Sequence, residues 1–494
     1  MTLRDLLSCL PCDSKHMQDL EVTRITEDSR ECDTHALFVC IKGQNFDGHR
    51  YATDAYKRGC RAFVAQDQLV LPDDALTVTV EDTRRALASL ACRFYENPSH
   101  RLDVIGITGT KGKTTVAYMI RRVLEKNGIP CGYIGTNGIA FGTKHFETKN
   151  TTPDAITLQK TLNEMHRSGC RAVVLEVSSQ ALFQHRVDGI KFSSCVFTNL
   201  FSDHIGEGEH PDFEHYKACK HRLFSQFQTN TIIYNADDPH AIDMIRGSSA
   251  HTVSCSSLTD ADYVRSDLTS ILKDGTLGVS FVLSHGGKDV PFSIPLIGDF
   301  NALNATIATA IASECFGISL ENTAKALADI AVPGRSEIIP LESGGIAIID
   351  YAHNGASLRY LLENLRAFVP KRLICLFGSV GDRTEIRRRE LGEAAAELSD
   401  FCILTSDNPG KENPEKILYE IASVVDTYQT PYRCFSDREE AIRYGVEILG
   451  SNEILVLAGK GHETYQLIGT EKKRFDEKEI LLCAARLLSK KSTV

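Results

Sequence analysis

One stretch, Val104-Ile-Gly-Ile-Thr-Gly-Thr-Lys-Gly-Lys-Thr-Thr-Val116, constrains this chain more than any other. Val104, Ile105 and Ile107 read as the end of a buried parallel strand, and the residues after Thr115 repeat their apolar positions at helical spacing. A strand that feeds a helix through glycines gathers free backbone N–H groups and the positive end of a helix dipole at one spot. That spot suits a phosphate. Gly109, Thr110, Lys111 and Gly112 form the turn, Lys113 supplies a point charge for the β- and γ-phosphates, and Thr114 or Thr115 offers a hydroxyl to Mg²⁺. The strict G-x-x-x-x-G-K-[ST] pattern is not met, because Ile107 stands where its first glycine belongs.

A chain of 494 residues is too long for one core and is expected to divide into two to four domains. A net charge of −10 argues against a broad nucleic-acid or anionic-membrane surface. An anionic ligand must then be met by local lysines and arginines. No run of about 18 apolar residues offers a membrane span, and acids at Asp5 and Asp13 interrupt any leader-like segment. A cytoplasmic protein without membrane insertion is expected. The 16 cysteines are scattered, and only Cys9-Leu-Pro-Cys12 forms a close pair. They read as small buried hydrophobes in a reducing compartment.

Residues 1–97 form a first unit with short strand-like runs at 36–41 and 61–65. Asp28-Ser-Arg30 and Lys42-Gly-Gln-Asn-Phe-Asp-Gly-His49 sit in loops beside those runs, placed either to hold a small ligand or simply to turn hairpins. Residues 98–332 alternate strands and helices, the pattern of a parallel sheet. Arg171-Ala-Val-Val-Leu-Glu-Val-Ser178 puts the carboxylate of Glu176 at a strand's end, and Cys195-Val-Phe-Thr-Asn-Leu200 delivers Asp203 and His204 to the same edge. Tyr216-Lys-Ala-Cys-Lys-His-Arg-Leu-Phe224 is an amphipathic helix whose Lys220, taken alone, reads as a residue that snorkels to solvent. Thr231-Ile-Ile-Tyr-Asn-Ala-Asp-Asp238 closes the strand series, and Asn301 and Asn304 share one face of a later helix.

Residues 333–494 carry four apolar strand runs, at 346–353, 372–378, 401–405 and 454–459, with helices between them. This is a second doubly wound α/β unit, Rossmann-like, whose ligand crevice lies beyond the strands' carboxyl ends. The loops there hold Asp350 and His353, Arg383, Asp407 and Asn408, and Gly459 through Glu463. The basic run 387–389 reads as a solvated helix face.

Taken in order, Asp28-Ser-Arg30, Asp47-Gly-His49, the lysine loop, Thr151-Thr-Pro153, Glu176-Val-Ser-Ser179, Tyr216…Lys220…Phe224, Asn301, Pro333-Gly-Arg335, Asp350-Tyr-Ala-His353, Asp407-Asn-Pro409 and Gly459-Lys-Gly-His-Glu463 make a specific set. On these motifs the chain resembles the Mur ligases over nearly its whole length, most closely the MurE branch, which adds the third residue of the peptidoglycan stem peptide. The resemblance implies three domains, an N-terminal UDP-binding one, a central ATPase and a C-terminal Rossmann-like one, working as a monomer. It implies an ATP-dependent amide ligase that joins a diamino acid to UDP-N-acetylmuramoyl-L-alanyl-D-glutamate through an acyl phosphate.

In that reading the UDP-sugar and peptide would be held by Ser29, Asp47, Gly48, His49, Thr151, Thr152, Ser178, Gln184 and Arg186. ATP would be held by residues 109–115 with Asn301, Arg335 and Asp350, and Lys113, Glu176, His204 and Lys220 would carry catalysis. Thr114, Glu176, His204 and a carbamylated Lys220 would bind Mg²⁺. Arg383, Asp407, Asn408, Gly459 and Glu463 would receive the incoming amino acid. Four departures stand out: Gln180 for a histidine, Asp203-His-Ile-Gly-Glu-Gly-Glu-His210 for the commoner D-H-L-D-Y-H with Asp203 and His204 kept, Asn354-Gly-Ala356 after His353, and Gly410 for the arginine of diaminopimelate-adding members. The last favours L-lysine over meso-diaminopimelate, because a buried distal carboxylate needs a fixed cation. A ligase of the folylpolyglutamate type and a non-catalytic nucleotide-binding homologue are the competing readings.

Overall fold

The computed structural model describes residues 1–11, 20–43, 46–203, 205–206, 209–258, 260–273, 276–381 and 385–492. These form two compact units, residues 1–263 with 307–319 and residues 264–306 with 320–494.

The first unit opens with a small four-stranded sheet, Arg24–Thr26, Ala36–Val39, Ala62–Ala65 and Leu76–Thr79, side by side in chain order and parallel throughout. Parallel neighbours need crossovers, so these loops do not join hairpin partners in the sheet, although Lys42 and Asp47 form an antiparallel bridge within the second loop. The helix Thr83–Phe94 begins at Asp82, whose carboxylate accepts from the N–H groups of Arg84 and Arg85. It lays Leu87 and Leu90 against Leu37, Val39 and Val64, together with Leu3, Leu6 and Leu7 of the first helix. Each such leucine contributes about 2 kcal/mol by leaving water.

The larger sheet of this unit places Asp103–Thr108 at its centre, between Ser194–Phe197 and Ala172–Glu176, parallel to both. Cys131–Gly135 lies beyond the latter, followed by the antiparallel strands Gly138–Phe141 and Lys144–Phe146. On the other side Thr231–Asn235 pairs with Ser194–Phe197 and then with His251–Ser256, so the strand series does not close at residue 238. In register, Thr108 faces Phe197 and Ile107 faces Glu176. Three strand ends are therefore level, and the residues just past them meet at one edge. The helix Lys113–Lys126 packs Val116, Met119, Ile120 and Val123 against the sheet from there.

The second unit holds a six-stranded sheet in the order Glu337–Pro340, Ile346–Asp350, Glu453–Ala458, Arg372–Phe377, Phe401–Thr405, Tyr432–Phe435. The first strand is antiparallel and the others parallel. The four apolar runs read from sequence are its central strands, buried on both faces as parallel strands must be. Sequence reading missed the antiparallel strands Tyr263–Lys273, Thr276–His285 and Lys288–Ile294. The latter two do alternate, burying Leu277, Val279, Phe281 and Leu283 and then Val290, Phe292 and Ile294, while in the first a register shift falls between Ser266 and Thr269. The 387–389 run is not a uniformly solvated face either. Arg388 is buried on Glu412 and Glu420, the latter at 2.6 Å, while Arg389 stays outside with Glu393.

No helix among the described residues is long and apolar enough to cross a membrane. Fifteen cysteines are free thiols, most of them buried, and Cys12 lies outside the described residues.

Candidate active site

The lysine loop sits where the central strand of the first unit ends. Gly109 has φ +151°, and a side chain there would run into the Thr198 hydroxyl, so only glycine lets the loop pass. Thr198 Oγ1 in turn donates to the Lys111 carbonyl at 2.7 Å, and the Lys111 N–H donates to Asn199 Oδ1 at 2.9 Å. The loop is thus held by the next strand's end. Lys113 Nζ donates to the carbonyls of Gly109 (2.8 Å) and Thr110 (3.1 Å).

Lys220 does not snorkel. It is buried, and its Nζ donates to the same Gly109 carbonyl at 2.9 Å while lying over the Tyr216 ring. Burial drives its pKa well down, and the neighbouring Lys113 charge pushes the same way. Tyr216 adds a hydroxyl contact to Thr110 Oγ1 at 3.2 Å. Lys111 reaches outward to pair with Asp203 at 3.2 Å. His204 lies outside the described residues.

Glu176 is fully buried and saturated with donors. Thr114 Oγ1 donates at 3.0 Å, Tyr133 Oη at 2.6 Å, Thr136 N at 3.1 Å and Thr136 Oγ1 at 3.0 Å. The Tyr133 hydroxyl keeps its proton, since burial and the adjacent Glu176 raise its pKa far above the usual value. Tyr133 and Thr136 carried no sequence signal of this role. The strand and turn that bring them here lie some forty residues earlier in the chain.

The peptide-side residues converge on the backbone after Glu176. Thr152 Oγ1 donates to the Glu176 carbonyl at 2.8 Å and accepts from Ser178 N at 3.0 Å. Thr151 and Thr136 share a hydroxyl contact at 3.2 Å. Arg186 Nη1 donates to the Thr152 carbonyl at 2.9 Å, and its Nη2 to Gln184 Oε1 at 2.7 Å. Thr151, Thr152, Ser178, Gln184 and Arg186 are therefore one connected network.

Beside it, in the N-terminal sheet, a cavity of about 940 Å³ is lined by Glu27, Ser29, Phe46, Tyr51 and Arg84, among others. Ser29 starts a 3₁₀ turn capped by Asp28, whose carboxyl is held down at about 2 by its hydrogen bonds to Arg30. Asp47 caps the turn Gly48–Tyr51 and accepts from His49 Nδ1 at 2.7 Å. His49 Nε2 accepts from the Gln66 N–H at 3.1 Å, which fixes the proton on Nδ1. Asp47 and His49 thus brace the loop, with Gly48 pressed on the Ile41 backbone. Sequence reasoning missed Glu27. Burial first, then Asp154, raises its carboxyl, and Arg84 and Arg186 oppose that.

In the second unit, Asn301 is buried, donates to the Ile297 carbonyl and accepts from Asn304 at 3.2 Å, so the paired amides do touch. Asp350 accepts from the N–H groups of Ser336 and Ala352; its carboxyl is raised by burial, with Arg335 opposing. Arg335 stacks over Tyr351 at 4.7 Å. The amino-acid-side residues form a tight cluster. Asn408 Nδ2 donates to Glu463 Oε2 at 2.9 Å, and the buried Lys460 Nζ donates to both Asn408 Oδ1 and Glu463 Oε2 at 3.0 Å. Asp407 lies 3.7 Å from the same ammonium, beside Gly459. Gly410 has φ +58° and pairs its backbone with Leu467 and Gly469. Arg383 lies outside the described residues.

Three family descriptions match the chain in order: Mur ligase family, catalytic domain over residues 21–95; Mur ligase middle domain over 107–312; and Mur ligase, glutamate ligase domain over 334–461. A UDP-N-acetylmuramoyl-L-alanyl-D-glutamate--2,6-diaminopimelate ligase of Caldanaerobacter subterraneus subsp. tengcongensis is 37% identical over 97% of this chain and 98% of its own length. The enzyme of that name from Alkaliphilus oremlandii is 38% identical over 95% of each. A solved structure of a ligase of that name matches with a TM-score of 0.72 and 28% identity, covering 99% of this chain and 100% of the other. A folylpolyglutamate synthase of Mycobacterium tuberculosis, at TM-score 0.62 and 17% identity over 76% of this chain and 91% of its own, shares the fold alone. With the lysine loop, buried Glu176 and Lys220 set at one sheet edge, and with relatives matched end to end, this chain belongs to the Mur ligase family, whose members are ATP-dependent, ADP-forming amide ligases.

Proposed function

We propose that this chain adds 2,6-diaminopimelate to UDP-N-acetylmuramoyl-L-alanyl-D-glutamate with cleavage of ATP. The observation that carries the ligase chemistry is the meeting of Lys113 and Lys220 on the Gly109 carbonyl, next to Glu176 and Thr114. Lys113 steadies the γ-phosphate while the glutamyl carboxylate attacks it, giving an acyl phosphate and ADP. The amine of the incoming residue then displaces phosphate through a tetrahedral intermediate, with the protein supplying position and electrostatics.

The donor set suits a hard cation: the Thr114 hydroxyl and the buried Glu176 carboxylate lie within 3.0 Å of each other. These two, with His204 and Lys220, would hold Mg²⁺. It supplies charge neutralisation for the transferred phosphoryl group. Lys220 becomes an oxygen ligand once carbamylated, and its burial beside Lys113 favours the neutral amine that adds CO₂.

The cavity by Ser29 and Phe46 is assigned to the uridine diphosphate, and the Thr151–Arg186 network to the peptide. Domain limits at 1–97, 98–332 and 333–494 are part of this reading, and the three matched segments fall inside them. For the incoming amino acid, the names of the relatives shift the weight from L-lysine to diaminopimelate. Measuring kcat/KM for ADP release with meso-diaminopimelate, L-lysine and L-ornithine tests the proposal. A clear preference for meso-diaminopimelate is expected, and a preference for L-lysine overturns the assignment.

A further inference from the structure

Beside the phosphate edge lies a second group of metal-type donors, of different chemistry. His215 and Cys219 stand one turn apart on the helix Phe213–Ser225, facing the same way. His210 comes in from the preceding segment, with its Nδ1 2.9 Å from His215 Nδ1. Cys219 Sγ lies 3.8 Å from His215 Nδ1, and the three donor atoms fall within 4.8 Å of one another. In a tetrahedral zinc site, bond lengths near 2.05 Å to nitrogen and 2.3 Å to sulfur set donors roughly 3.3 Å (N–N) and 3.6 Å (N–S) apart. The His210–His215 and His215–Cys219 spacings differ from these by a few tenths of an ångström, and the third pair lies within 4.8 Å, so side-chain rotation has to close the set.

The surroundings are those of a built site. His210 and Cys219 are buried. The far nitrogen of His210, Nε2, contacts Ser179 Oγ at 2.8 Å, the outer partner that orients a metal-bound imidazole. Phe183 packs edge-on against both imidazole rings and Tyr216 against His210, so two aromatic side chains wall the cluster. Two imidazole nitrogens at 2.9 Å can share only one proton, and a cation can take its place.

We propose that His210, His215 and Cys219 form a binding site for a borderline divalent cation of the Zn²⁺ class, separate from the Mg²⁺ position at Thr114 and Glu176. Two imidazoles and a thiolate select such an ion and reject Mg²⁺, which demands oxygen donors. Binding shifts the proton held between the two Nδ1 atoms to an outer Nε2 and releases the thiol proton of Cys219 to solvent, leaving two neutral imidazoles and a thiolate as ligands. The bound ion then ties the helix that carries Lys220 to the 210 segment, and through His210 to Ser179, which follows the peptide-side Ser178. The cluster braces catalytic groups from outside.

The test uses the full chain, stripped by chelator and held in saturating Mg²⁺. Co²⁺ titration is expected to give a near-ultraviolet thiolate charge-transfer band that saturates in proportion to the chain and is abolished by stoichiometric Zn²⁺. Zn²⁺ is also expected to raise the melting temperature. Cys219→Ala loses the band, His215→Ala loses tight binding, and Ser179→Ala weakens it by about tenfold through the outer partner. Cys434→Ser, at an exposed thiol, leaves the titration unchanged. If Cys219→Ala fails to fold, Cys219→Ser keeps the volume and carries the same readout. A wild-type chain without the thiolate band in Mg²⁺, or a band that survives loss of Cys219, overturns the proposal.

Discussion

Lys113 and Lys220 set their ammonium nitrogens on a single acceptor, the Gly109 carbonyl, at 2.8 and 2.9 Å, though 107 residues separate them in the chain. Two cations that share one dipole in a buried place destabilise each other. Lys220, the more buried, yields, and its amine is held toward the neutral form. Lys113, at the head of a helix, is the one placed to meet a phosphate.

Removing that charge costs turnover and not the fold. Lys113→Ala is expected to lower kcat for ADP release by about a hundredfold or more, the range seen when one transition-state donor is lost. Far-ultraviolet circular dichroism stays unchanged. Near-normal turnover in the variant would take Lys113 out of phosphoryl transfer.

Lys220→Ala is expected to be nearly inactive, and short-chain carboxylic acids are expected to restore part of the rate by standing in for the carbamate oxygen. Preparing the wild-type chain free of bicarbonate lowers its activity, and adding bicarbonate recovers it. Full activity without bicarbonate, together with no rescue of the variant, argues for a purely structural lysine.

Tyr133→Phe removes one donor from buried Glu176 and leaves the ring in place. A hydrogen bond to a charged group is worth about 1.5–3 kcal/mol, so chemical denaturation should show a loss of that order. Thr136 still holds the other side of the carboxylate, and the variant folds. An unchanged denaturation midpoint would show that the Tyr133 hydroxyl is dispensable to Glu176.

Glu27 gives a pH signature. Its folded-state pKa is raised, by burial first and by Asp154 second, with Arg84 and Arg186 acting against them. A raised carboxyl contributes stability that is present in acid and lost as pH climbs through the folded value. Glu27→Gln is therefore expected to melt higher than wild type at neutral pH, with the gap closing on acidification. A gap that is constant across pH would place the effect elsewhere.

The lysine loop and the parallel strands were legible because their signals are local: glycines at fixed offsets and short apolar runs. Glu176 and Lys220 were legible only as motifs. Nothing in the sequence alone shows that Lys220 turns inward onto Gly109, since a lysine flanked by apolar residues fits either face of a helix. Tyr133, Thr136 and Glu27 were invisible for a related reason, because distant pairings give them their roles. Lys460 lay inside a motif already noticed, yet its charge balance with Glu463 and Asn408 appears only when two loops 52 residues apart close on each other. The arginine run misled in the opposite way: three like charges suggest solvent, but Arg388 finds two carboxylates.

The level ends of the strands at Thr108, Glu176 and Phe197 also bear on how the chain is made. The Thr114–Glu176 contact spans 62 residues and the Lys220–Gly109 contact spans 111. A nascent chain leaving the ribosome displays its glycine loop long before either partner has been synthesised, and no local cooperation can complete the edge early. Nucleotide affinity is thus a late-arriving property. It reports that the central strand has been enclosed on both sides, and a labelled nucleotide analogue could time that event during translation.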